Sequence, residues 1–192
     1  EPIAKLSATG TLGLVVDGDH SGLYGSLEIG GAGAESVLID GGDAFKVKGR
    51  FLLQINTTNQ IQKARGRDAK GNIYDPITGD PVMVDLTPQM LRISGRTEIS
   101  IGPLAMKGAI DLLIDSHGIQ AAMDVSLELG AFGEVAVTGA AAFGLDANND
   151  PFFALYLGFR VELNIAIIKI KGSAVLQINT SNLPYTTLNG HT

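Results

Sequence analysis

The chain has 192 residues, 45% of them hydrophobic, enough for a sizeable core in one or two domains and too apolar for a disordered tail. Its formal net charge of −6 works against nucleic acid as a partner, because neutralising phosphates takes a clustered Lys/Arg surface. The absence of cysteine removes disulfides, thiolate metal sites and cysteine nucleophiles, and no run approaches the roughly 18 apolar residues of a membrane helix.

The first element follows Leu6-x-Ala8-Thr9-Gly10, a phrase that reads apolar, any, apolar, Ser/Thr/Lys, Gly. Beyond it apolar residues recur at Leu12, Leu14 and Val16 and stop at Asp17. A period of two is the strand period, and Asp readily starts a turn. After the turn-rich "DGDHSG", the stretch "LYGSLEI" (23–29) alternates in the same way and reads as a return strand. The phrase comes back as Phe45-x-Val47-Lys48-Gly49, leading through Phe51, Leu53 and Ile55 to Asn56.

From 57 to 90 the rhythm breaks. This polar, turn-rich insertion predicts a small hairpin over 72–86 around "PITGD". Loops of such length carry function or structure of their own, which makes the insertion the expected place of partner contact. Its basic cluster "KARGRDAK" (63–70) already contains Asp68 and reads as a solvated loop.

The remaining chain restores the alternation. The phrase recurs at Leu91–Gly95, Leu104–Gly108, Val135–Gly139 and Ile168–Gly172, with return strands at "GIQAAMDVSLELG" (118–130) and "FFALYLGFRVELNI" (152–165). The expected fold is all-β: long antiparallel amphipathic strands in hairpin repeats, folded as an elongated sandwich, a taco-like tube or a solenoid-like array. A glycine weakens a strand unless the backbone must bend or approach closely there, so aligned glycines suggest a crease along the sheet.

Two stretches are nearly the same: "KGRFLLQINTTN" (48–59) and "KGSAVLQINTSN" (171–182) match at eight of twelve positions. The segment from Gly10 to Asn56 parallels that from Gly139 to Asn179, a period of about 123–129 residues. The organisation is then a partial β repeat at 1–58, an insertion at 59–90, and a β repeat at 91–192 that runs into a second copy. Repeats that bury their apolar faces by stacking build rods, walls or long surfaces.

Chemistry is sparse. No nucleophile elbow, phosphate-cradling loop or His-Glu-x-x-His pair is present, and His20, His117 and His191 fall in turns or at the chain end. No enzymatic function is expected. Asp146, Asn148 and Asp150 in "DANND" stand at alternate positions like the opening of a calcium loop, although Pro151 replaces the expected glycine and no bidentate Glu follows. Asp17 and Asp19 form a weaker relative. Asn56-Thr57-Thr58 and Asn179-Thr180-Ser181 are N-glycosylation acceptor patterns at equivalent points of the repeat.

The "LQINT" strands, the glycine phrase and the Asp-led turns resemble very long, repetitive secreted or surface proteins of bacteria. That resemblance implies an extracellular scaffold or filament, or an adhesin. The expected partners are neighbouring repeats or further copies, without a cofactor other than calcium. A second expectation is a lipid-carrying groove, lined by the apolar faces that include Ile110, Leu112, Ile114, Met123, Val125, Leu127, Phe143, Leu155, Leu157 and Phe159.

Overall fold

A computed structural model describes residues 8–30, 37–40 (backbone only), 46–67, 72, 74–101, 104–146, 148–165, 167–181, 184–186 and 188. The fold is all-β, and the described residues contain no α-helix. The strands are β1 (Ala8–Val15), β2 (Gly22–Gly30), β3 (Val37–Asp40), β4 (Lys46–Asn56), β5 (Gln62–Arg65), β6 (Met83–Leu86), β7 (Met90–Ile101), β8 (Leu104–Asp115), β9 (Gly118–Glu128), β10 (Gly133–Leu145), β11 (Pro151–Ile165) and β12 (Ile168–Asn179). Nine of them follow one another in a single antiparallel sheet, β1-β2-β4-β7-β8-β9-β10-β11-β12, with β3 paired to one end of β4. The sheet is not closed into a barrel. β5 and β6 form a separate hairpin.

Residues paired directly across strands share a face, so the register sorts every side chain. One line runs Ile29, Phe51, Gly95, Ile110, Met123, Gly139, Leu157, Leu176. All ten apolar residues named for the expected groove lie on that face. The charged residues of the same nine strands, among them Glu28, Arg50, Arg92, Asp111, Glu162 and Lys171, lie on the other.

The two matching stretches fall on β4 and β12, and their surroundings correspond. Gly10 stands opposite Leu27 and Leu27 opposite Leu53; Gly139 stands opposite Leu157 and Leu157 opposite Leu176. The trio β10–β11–β12 therefore has the register of β1–β2–β4.

The phrase glycines share the apolar face but not a row. Gly95 and Gly139 stand in one row, Gly49 and Gly108 in the next, Gly172 beyond that, and Gly10 on the opposite side. They form a band four rows deep rather than one crease, because the antiparallel path reverses the direction in which each phrase reads. Their local reasons also differ. A Cβ on Gly10 would lie 2.2 Å from the carbonyl oxygen of Ser26, and one on Gly95 would lie 2.3 Å from the ring of Phe51, whereas nothing lies within 4 Å at Gly172.

Candidate functional site

Part of the sheet is covered on its polar side. The β5–β6 hairpin lies against β1, β2 and β4, and its Ala64 and Leu86 pack with Met90 in a small core joined by Val84 and Leu113. Asn56, fully buried at the end of β4, organises this seat. Its amide nitrogen donates to the carbonyls of Gln60 at 2.8 Å, Leu86 at 3.0 Å and Thr87 at 2.9 Å. Its carbonyl oxygen accepts from the Thr58 amide at 3.0 Å and the Thr58 hydroxyl at 2.7 Å. Buried polar groups cost free energy unless bonded, so this asparagine ties the insertion to the sheet. The hairpin expected over 72–86 is wider than the sequence suggests: β5 pairs with β6 from Gln62, and Tyr74 bridges to Pro81 around the turn.

Between hairpin and sheet lies a cleft of about 150 Å³, lined among others by Ser26, Glu28, Arg50, Leu52, Arg65 and Tyr74. Glu28 accepts from Arg50 at 3.1 Å and from Arg67 at 2.7 Å. The volume is below the ~300 Å³ at which small-molecule pockets begin. A second patch of the polar face, Ala142, Phe152 and Ala154, is covered by Tyr185, whose ring lies 4.9 Å from that of Phe152. In β1 and β2 the same places hold Gly13 and Tyr24, with the Tyr24 ring lying over Gly13.

The apolar face carries no buried cluster among the described residues. Thr97 is the one polar side chain among its described strand residues. Large side chains stand open to solvent across it, from Leu14 (72% exposed) through Ile110 (47%) to Leu176 (50%). At ~4.8 Å per strand and ~3.4 Å per residue the face measures roughly 40 by 35 Å, about 1,400 Å². Soluble monomers rarely expose a contiguous apolar patch above about 300–600 Å². This face is the candidate functional surface.

The residues singled out from sequence fall at strand ends and in turns. A glycan on the Asn56 amide and the packing described above exclude one another, so Asn56 is a buried anchor and not an acceptor in the folded chain. Asn179 is exposed, and its side-chain oxygen accepts from the Ser181 amide at 2.9 Å. Asp146 builds the turn between β10 and β11: one carboxylate oxygen accepts from Asn148 at 2.8 Å and from Asp150 at 3.1 Å. Among the described residues no three acidic, histidine or cysteine side chains gather as a metal site. Asp19 offers its backbone carbonyl to the Asn59 amide at 3.0 Å, and His20 bonds the Asn59 side-chain oxygen at 2.5 Å. His117 is exposed at the β8–β9 turn, while His191, along with 68–70 of the basic cluster, lies outside the described residues.

Comparison with protein-family models, with curated proteins and with solved structures found no match to this chain.

Proposed function

We propose that the chain is a non-catalytic structural protein whose β-sheet grows by repetition of a six-strand unit, β1-β2-β4-β7-β8-β9, into an elongated scaffold. The observation that carries this reading is the return of the first three strands as β10–β11–β12. The registers correspond, and so do the turn bonds after β4 and β12. A sheet that repeats along its hydrogen-bonding direction lengthens by ~4.8 Å per strand, about 29 Å per unit. The extracellular or surface setting rests on the sequence resemblance.

The test is a lengthened chain with residues 10–138 inserted once more, and then twice more, after Thr138. The joint restores Thr-Gly, as at Thr9-Gly10 and Thr138-Gly139. Particles seen by negative stain should lengthen by about 29 Å per insertion at constant width. Separate globules, or growth in all dimensions, would overturn the reading.

A second reading, a groove that carries lipid, is favoured by the breadth and near-complete apolarity of the uncovered face. Organic extraction of the purified chain should then release stoichiometric acyl lipid. Lipid-free protein with the face still open to hydrophobic dyes rejects it.

A further inference from the structure

We infer that the outer edge of β12 is a docking edge for a strand with the sequence of β7. The inference rests on the reading of the sheet as a repeating structure and deepens it by naming what one edge accepts. β12 pairs with β11 on one side and with no strand on the other among the described residues, and every one of its residues is exposed. Its counterpart β4 has the same neighbour on one side, β2, and on the other pairs with β7 over eleven residues, from Lys46↔Ser100 to Asn56↔Met90.

Transferring that register to β12 yields a consistent pairing on both faces. Leu176 takes the place of Leu53 opposite Ile93, and Ile170 that of Val47 opposite Ile99, so the apolar face continues without a break. On the polar face Lys171 takes the place of Lys48 opposite Glu98, an opposite-charge pair. Ser173 stands where Arg50 faces Arg96, which removes a like-charge juxtaposition from the edge.

The backbone points the right way as well. The Thr180 amide bonds the Phe153 carbonyl, toward β11, so by strand alternation the amides of Lys171, Ser173 and Val175 point outward. An extended peptide that adds a strand to such an edge is held by main-chain bonds and selected by alternate side chains. Edges of this length are normally blunted by bulges, proline or cover, and β12 has no irregularity in its pairing with β11.

The experiment uses the intact chain and the synthetic peptide of β7, Met90–Ile101. Since the chain has no cysteine, Leu176→Cys introduces a single thiol. In a glutathione buffer the Ile93→Cys peptide should form the mixed disulfide at least about tenfold faster than the Leu91→Cys or Gly95→Cys peptides, whose thiols lie one same-face step away. Val175→Pro removes one outward amide without touching the β11 ladder and should abolish capture. N-methylation of Ser94 in the peptide leaves the protein unaltered and should do the same. Absence of binding, equal linking in all three registers, or indifference to both backbone changes overturns the inference. A lengthened chain that grows as expected while the peptide fails isolates the fault to the edge. A peptide that docks in register on a chain that fails to lengthen isolates it to the repeat.

Discussion

Thr57 and Thr180 make the same bonds in two different turns. The Thr57 amide donates to the Leu23 carbonyl at 2.8 Å and the Thr180 amide to the Phe153 carbonyl at 2.9 Å. Each hydroxyl accepts from the amide of that same partner at 2.8 Å and donates back to its carbonyl at 3.2 Å. Each threonine thus closes a strand end onto its sheet neighbour, β2 or β11, with three bonds, using one side-chain oxygen as both acceptor and donor. Thr57→Val and Thr180→Val keep shape and remove only the hydroxyl. Each should cost about 1 kcal/mol in urea unfolding, and the two losses should agree within error.

Asn56 and Asn179 make the opposite case, since one residue type at equivalent places meets different surroundings. Asn56→Ala leaves the buried Leu86 carbonyl without this donor, opens a gap at a fully buried site and should cost about 3 kcal/mol. Asn179→Ala, at an exposed position, should cost about 1 kcal/mol or less. Hydrogen exchange should show Asn56→Ala releasing β5 and β6 before the long strands.

The two faces predict an inversion of the usual rule for charge. Met123→Glu with Leu157→Glu places carboxylates on the apolar face at side chains 43% and 37% exposed. The double variant should keep its circular dichroism and lose most of its binding of hydrophobic dye. Leu52→Glu, on the face that carries all the strand charges but beneath the hairpin, should cost about 3 kcal/mol or more. A double variant that unfolds as readily as Leu52→Glu would show that the apolar face is covered in solution.

Tyr185 packs on Phe152 with its hydroxyl buried and without a partner among the described residues. Desolvation raises its pKa above the ordinary tyrosine value, with the charge of Asp115 adding to the effect. Because the folded chain ionises this tyrosine later than the unfolded one, the shift has no effect at neutral pH and lowers stability once the unfolded chain begins to ionise. Stability should therefore fall above about pH 10 in the native chain. Tyr185→Phe should remove that alkaline loss and gain about 1 kcal/mol at neutral pH, by deleting the unsatisfied hydroxyl.

The long strands were legible because alternation needs no knowledge of neighbours. The spacing of Met123, Val125 and Leu127 against Asp124, Ser126 and Glu128 assigns faces by itself, and the register agrees. β5 was not legible: Gln62, Lys63, Ala64 and Arg65 hold one small apolar residue, and the strand exists because β6 and the sheet receive it. The role of Asn56 was hidden for a related reason, since an asparagine after an alternating run reads as a turn former or glycan acceptor. The carbonyls that bury it lie 30 and 31 residues further on. At Asp146 the spacing fits a cation loop and an Asx turn equally, and the bonds from Asn148 and Asp150 are those of the turn. The uncovered side was illegible too, because sequence marks which face is apolar but not which one the insertion will choose.

Among the described residues the strand path has nine members, and nine is odd. In an antiparallel path every second strand points the same way, so β1 and β12 are co-directional. Copies of this chain placed head to tail would have to join through a parallel seam, whereas two copies related by a twofold axis can lay β12 against β12 in the antiparallel sense. The first contact propagates and the second stops at a pair. A covalent unit of six strands, being even, changes neither edge's polarity, so length can be set by the gene and not by concentration.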